Sequence, residues 1–515
     1  MDVRSWFSCD LLEVQELKWP VEIRRMLTEG ISTGELVFII EAMENTAVRG
    51  SIERTRRLAA SLEAFANVFA ISAIMLVAAT NTSIATATDL WVDRNQLGGI
   101  CDDNRLRSQV TRSTPWCTLE AACNRVLPGD VVRVREGEYS KIHSAHHLSW
   151  SSAVLQVVVS GTPEAPIKFM AEPGERVVIS GSGGAIYGIL ITEQSGMIPR
   201  FIVIEGFVVR EIPDVAVLVS TTTDVVLRHL EVTACPWAAV GTKNSGRITI
   251  EGCHVHDNPL GGWTSAITLY GCLDGNIIRG NRIWANTDED SLESEGHGVI
   301  LDFCGAHGGA LIENNIIWNN EGWCINIFYS DGAVIRNNTC WRNSQGRFDG
   351  TGEVSIRGLR TEIFNNILVS RNGVPALQIY DSPGDMTSVV SDFNIFWSLS
   401  DKSIIKAPPS PWVLVPLFQH QETNAYQWDQ SSIQVDPLLV DPATANFRPS
   451  SNSAAIDTAN NDKSPTFDVE GRIRPIDGDR DGSAIADRGA YEYFPLIRNS
   501  NNPPLRRIRP EAQKQ

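Results

Sequence analysis

The sequence predicts an all-β solenoid, a single-stranded parallel β-helix with an α-helical cap at its N-terminal end. Three observations predict it. Residues 312–320, IENNIIWNN, and 335–343, IRNNTCWRN, are near copies of one phrase, and related phrases begin at 204, 227, 250, 278, 363 and 391. The residues after the first apolar anchor are Glu205, Arg228, Glu251, Arg279, Glu313, Arg336, Phe364 and Asp392, separated by 23, 23, 28, 34, 23, 28 and 28 positions. The recurring step of 23 has room for three short strands and three turns, which is one rung of a β-helix. Within rungs, runs such as RFIVIEGFVV and VSIRGL alternate with period two, as half-buried strands do. Stripes of period 3.6 and regular leucine positions are absent, which argues against helical and leucine-rich repeats.

The chain reads in order as follows. Residues 1–42 carry no usable pattern and read as an over-long N-terminal extension. Residues 43–87 hold a secretory signal: basic RTRR at 54–57, apolar VFAISAIMLVAA at 68–79, and small residues at 85–87 before a cleavage at Thr88. The apolar run is shorter than the roughly 20 residues of a membrane-spanning helix, so an uncleaved anchor is the lesser reading. Residues 88–165 form the N-terminal cap and first strands. There Thr114 is expected as N-cap and Pro115 as first helical residue, with Leu119, Ala122, Cys123 and Val126 on one face. Residues 166–400 are the coil, 401–494 a C-terminal segment and cap, and 495–515 a disordered tail.

The phrase itself has a structural explanation. Two residues beyond each marker stand Phe207, Leu230, Cys253, Asn281, Asn315, Asn338, Asn366 and Asn394. In stacked rungs the last five make an asparagine ladder, because an amide both donates and accepts. Among ten cysteines, Cys101 and Cys117 are the expected disulfide. Cys235, Cys253, Cys272, Cys304, Cys324 and Cys340 fall inside rungs and read as small buried apolar residues.

The stretches LWVDRNQLGG, PWCTLEAACNRVLPGDVVRVREGEY, GHGVILDF and VDPLLVDPATANFRPSSNSAAIDTA, followed by DRGAYEY, give the chain a further character. From about Asp89 to Tyr493 it resembles secreted bacterial right-handed parallel β-helix proteins of the pectate-lyase-like superfamily. That superfamily includes pectate and alginate lyases, glycoside hydrolases, uronate epimerases, tailspikes and adhesins. The resemblance therefore implies the fold and an extracellular or periplasmic, monomeric, polysaccharide-handling protein, and leaves the reaction open. The net charge of −17 argues against nucleic acid as a partner.

Candidate chemistry gathers at the longest insertion, within 285–303. It carries Asp288, Glu289, Asp290, Glu293, Glu295, His297 and Asp302. Aligning rungs by their markers brings Lys243, Tyr270 and Arg357 near the same level. This set suits elimination or epimerisation on a uronic-acid polymer. Lys243 or His297 would take the carbon-5 proton and Arg357 would neutralise the sugar carboxylate. Asp302 and Glu295 would orient groups or hold calcium, with Tyr270 and Glu295 contacting substrate. Asp302 stands where one lyase family carries lysine, so Glu295 and Asp302 also raise hydrolysis as an alternative. A non-enzymatic adhesin is the rival class. Separately, DGDRDG places Asp477, Asp479 and Asp481 at alternate positions, with Asp487 beyond, as in the start of a calcium loop. Its twelfth position is Arg488 rather than Glu, so any calcium there is expected to be structural.

Overall fold

The computed structural model describes residues 88–142, 152–194, 196–261, 264–288, 296–305, 309–346, 352–382, 384–400 and 402–495. The extension, the signal region, the tail from 496, and Glu289, Asp290, Glu293 and Glu295 lie outside the described residues.

Three sheets of 11 strands each build the coil. The first runs from Asp89–Val92 to Val390–Asp392, the second from Ala153–Val157 to Ser410–Val415, and the third from Gly137–Tyr139 to Ile433–Gln434. The chain visits them in the order first, third, second: Arg200–Glu205, Val208–Arg210, Val215–Ser220, then Thr223–Arg228 one rung on. Pairing is parallel throughout except where Ser410–Val415 folds back on Ile405–Ala407. Inward columns hold the core: Ile204, Leu227, Ile250, Ile278, Ile312, Ile335 and Ile363 are register partners and almost fully buried. The next residue in each strand points outward. These marker residues alternate in sign, and Arg228–Glu205, Arg279–Glu251 and Arg336–Glu313 pair at 2.7 Å. The two more exposed pairs, Arg228–Glu205 and Arg279–Glu251, contribute about 0.2–1 kcal/mol each and chiefly set the register, whereas Glu313 is buried on the side of the sheet that faces the C-terminal segment.

The asparagine ladder forms as expected. The backbone N–H and the side-chain Nδ2 of Asn315 both donate to Asn338 Oδ1, at 3.0 and 2.9 Å, and the same exchange links Asn281 to Asn315, Asn338 to Asn366 and Asn366 to Asn394. The repeated phrase does more than this, however. Its first asparagine (Asn314, Asn337, Asn365) takes the left-handed conformation, φ 52–59°, that turns the corner, a conformation Asn tolerates better than most residues. Its final asparagine belongs to a second ladder at the next corner: Asn258, Asn286, Asn320 and Asn343, ending on the buried carboxylate of Glu353.

Two expectations are corrected. The N-terminal helix spans Leu119–Cys123 with Thr118 as N-cap, its hydroxyl accepting from Ala121 N–H, rather than starting at Thr114. Thr114 closes a turn with Thr111, and Trp116 bridges to Val92, so those residues are already committed to the end of the first sheet. The helix buries Leu119, Ala121, Ala122 and Cys123 in one core with Val154 and Leu155 of the second sheet's terminal strand, as a cap should. The second correction concerns cysteine. Cys101–Cys117 is bonded as expected, but Cys272–Cys304 and Cys324–Cys340 are bonded too. The step between rungs brings side chains distant in sequence to bonding distance. Cys123, Cys235 and Cys253 are buried thiols, each pushed up to about 12 by burial.

Glu353 makes a pH prediction. Burial pushes its carboxyl up to about 8, against which the two donors of Asn343 act. The native state therefore keeps a proton that the unfolded chain releases above about 4.5. Stability from this group is greatest at low pH and falls as pH rises from about 4.5 to 8, by at most about 1.4 kcal/mol per pH unit. In urea unfolding at several pH values, Glu353→Gln should decline less steeply than the parent across that window. Identical slopes would show that Glu353 does not hold the proton.

Candidate functional site

The marker alignment turns out to describe a true column. On the second sheet, Thr192, Ser220, Lys243, Tyr270, Asp302, Phe328 and Arg357 are successive register partners. They project from the outer face, since their neighbours Thr242, Leu269, Leu301, Ile327 and Ile356 are buried. The strand Val299–Gly305, which carries Asp302, begins inside the 285–303 insertion.

Register also separates what the sequence alignment had grouped. Lys243 and Arg357 are four rungs apart, or about 19 Å at about 4.8 Å per rung. They cannot serve one sugar unit. Asp302 lies between them, two rungs from each, and is half-buried. Among the described residues no cluster of three metal-ligating side chains forms around it. His297 is not on the open face. It is 2% exposed, its Nδ1 accepts the Trp323 N–H at 2.9 Å, and its Nε2 meets the Asn326 amide at 3.0 Å.

Arg357 has surroundings that the sequence did not reveal. Its guanidinium lies over three rings, 5.7 Å from Phe328, 4.9 Å from Tyr329 and 4.8 Å from Tyr380. It has no carboxylate partner among the described residues. Aromatic faces hold such a group in place while leaving its N–H edges to bind an anion. Lys243 is likewise without an ion-pair partner among the described residues, and stands 5.9 Å from the Tyr270 ring.

The rings continue into a platform. Phe303 stacks on Tyr329 at 5.4 Å and meets Tyr270 and Phe328 edge-on; Trp412, 69% exposed, meets Tyr380. Phe303 (φ 49°) and Tyr329 (φ 44°) take a left-handed conformation directly after the column residues Asp302 and Phe328. Other rungs place Thr221, Asn244 and Gly271 there. A bulky aromatic in that conformation costs about 1–2 kcal/mol, and here it gains no burial in return. Strain at an exposed aromatic position points to a role outside the fold. The signal was present in sequence as an excess of aromatics over Asn and Gly at one corner, but the corner could be located only through register.

The C-terminal acidic motif is rearranged. Asp477 and Asp479 converge with Asp457, which the sequence reading missed, their carboxylate oxygens lying within 4.8 Å of one another. Asp481 instead accepts the Ser483 N–H, and Asp487 is buried, accepting from Asp457 and Tyr493 backbone N–H groups. Asp457 Oδ1 and Asp477 Oδ1 are buried oxygens that accept no hydrogen bond among the described residues. Burial holds the Asp457 carboxyl above its ordinary range, with the Asp479 charge adding to the effect. A cation would relieve both conditions, so this donor set fits calcium.

The family described as right handed beta helix region matches residues 187–346, so the coil is a right-handed β-helix, as the resemblance implied. Among solved structures, the chain is similar to pectate lyase Pel9A at 15% identity, covering 80% of this chain and 98% of that one with a TM-score of 0.45. It is similar to XylC in complex with xylose at 9% identity, covering 79% and 98% with a TM-score of 0.45. An alginate lyase from Paenibacillus is similar at 16% identity, covering 57% and 93% with a TM-score of 0.39. No curated protein sequence matches the chain. Among the described residues no helix is long and apolar enough to cross a membrane.

Proposed function

We propose that the protein is an exported carbohydrate-active enzyme that binds a uronic-acid polymer along the outer face of its second sheet and acts on it by β-elimination or epimerisation. The observation that carries this reading is Arg357, an arginine without a carboxylate partner among the described residues, held by three aromatic rings on the outer face. Both reactions begin with loss of the carbon-5 proton, which is made acidic when the adjacent carboxylate is neutralised. Arg357 neutralises it. The base must reach the same sugar, which favours Tyr329, whose ring lies under Arg357 and whose phenolic oxygen would accept the proton as the phenolate, over Lys243 or His297. In elimination the electron pair left at carbon 5 forms the C4–C5 double bond and expels the carbon-4 oxygen, which takes up a proton. In epimerisation a proton returns to the opposite face. Lys243, four rungs away, then holds the carboxylate of another unit, and the platform of Tyr270, Phe303 and Trp412 stacks on sugar rings between and beyond.

Hydrolysis requires two carboxylates about 5–9.5 Å apart, and Asp302 is the only one in the column among the described residues. Screening uronate polysaccharides for new absorbance near 235 nm, with proton NMR for inverted carbon-5 centres, tests the reading by the two products of carbon-5 proton removal. Release of reducing ends without either signal would favour a hydrolase. No change in any polymer would favour an adhesin. Export is supported by the three disulfides, which belong to an oxidising compartment. Sequencing the mature N-terminus, expected at Thr88, checks it.

For the C-terminal segment we propose a structural calcium held by Asp457, Asp477 and Asp479. Calcium at 100 times its dissociation constant should stabilise the fold by about 2.7 kcal/mol, seen as a rise in Tm that a chelator reverses. Asp477→Asn should abolish the rise. An unchanged Tm in the parent would remove calcium from the account.

A further inference from the structure

A cavity of about 480 Å³ lies away from the column, between the outer face of the third sheet and the turn Pro442–Ala445 of the C-terminal segment. Its floor is a register column, Trp284, Trp318 and Trp341. Trp284 and Trp318 stack at 4.8 Å, and Phe447 wedges against Trp318 and Trp341. The polar side chains of its wall are Arg282, Arg342, Asn319 and Thr444, the last bonded to Asp441. Arg282 donates to the Tyr491 hydroxyl at 2.6 Å, and Arg342 and Asn319 are exposed. Among the described residues neither arginine has a carboxylate partner and no acidic residue lines the cavity. A basic, aromatic-floored recess is thus set into a chain of net charge −17. Its volume falls within the roughly 300–1,000 Å³ of small-molecule sites.

We infer that this recess is a second saccharide site, which takes a carboxylate-bearing sugar unit. The partly exposed Trp284 and Trp341, held in place by the buried Trp318 between them, meet the apolar C–H edge of a pyranose, the two guanidinium groups meet its carboxylate, and the Asn319 amide meets a hydroxyl. The inference rests on the reading that uronate polymers are what the protein meets, but it concerns a different face. A polymer held here and on the second sheet would be bound at two points, which raises avidity without new chemistry.

The test is calorimetric titration of the full chain with di- and trisaccharides of galacturonate, mannuronate and guluronate, and with galactose disaccharide as the neutral control. Parent, Arg342→Ala and Arg357→Ala are compared. At least one uronate should bind the parent, and should bind Arg342→Ala about tenfold or more weakly, the loss of a charge-assisted hydrogen bond. The same binding event should survive in Arg357→Ala. The neutral disaccharide should bind at least tenfold more weakly than the acidic one. If uronates bind Arg342→Ala as tightly as the parent, or bind nothing, the recess is only packing space. If binding is lost in Arg357→Ala alone, the recess is likewise empty of function while the second-sheet reading stands.

Discussion

Arg357→Ala should lower kcat on the identified uronate polymer by about 100-fold or more while leaving the unfolding transition where it is. An electrostatic group aimed at charge that develops in the transition state is worth about 10²–10³ in rate. Arg357 is half-buried and makes no ion pair among the described residues, so its removal strands no buried charge. Tyr329→Phe should show a loss of similar size, since it keeps the ring under Arg357 and removes only the hydroxyl. Lys243→Ala should behave differently: four rungs away, it should raise KM several-fold with kcat little changed. His297→Ala should instead lower stability by about 2–4 kcal/mol, because it leaves the Trp323 N–H and the Asn326 amide buried without their partner. Full kcat in both Arg357→Ala and Tyr329→Phe would move the reaction off this face.

Asn338→Ala should cost on the order of 4–6 kcal/mol in urea unfolding, a large share of the roughly 5–15 kcal/mol that holds a typical domain. Asn338 is fully buried at the middle of the first ladder. Its Oδ1 accepts two donors of Asn315, and its Nδ2 donates to Ile312 O, Arg336 O and Asn366 Oδ1. Alanine leaves each of these without that partner and too deep for water. Asn319→Gly is the contrast. Asn319 is exposed at a left-handed corner that glycine adopts freely, so the change should lie within about 0.5 kcal/mol of neutral. Equal small effects would mean the ladder is ornamental and the aliphatic columns alone carry the coil.

The sequence by itself determined the coil, its rung and its first ladder, because these repeat: one geometry is imposed every 23–34 residues, and each repetition confirms the last. It also placed Lys243, Tyr270, Asp302 and Arg357 on one level, since the marker residues share a register. It could not say how far apart they stand. Offsets from a marker measure position along a rung, whereas distance across rungs is set by how many strands intervene, and the rung of Phe328 was passed over. Hence the pairing of Lys243 with Arg357 as base and clamp did not survive stacking, and Tyr329 was not seen. The fate of His297, the partners of Cys272 and Cys324, and the recruitment of Asp457 were likewise decided only in three dimensions. Each depends on one contact between segments 16 to 32 residues apart, or on a carboxylate about 20 residues from the motif it joins. Such contacts occur once, and a pattern that occurs once leaves no period to read.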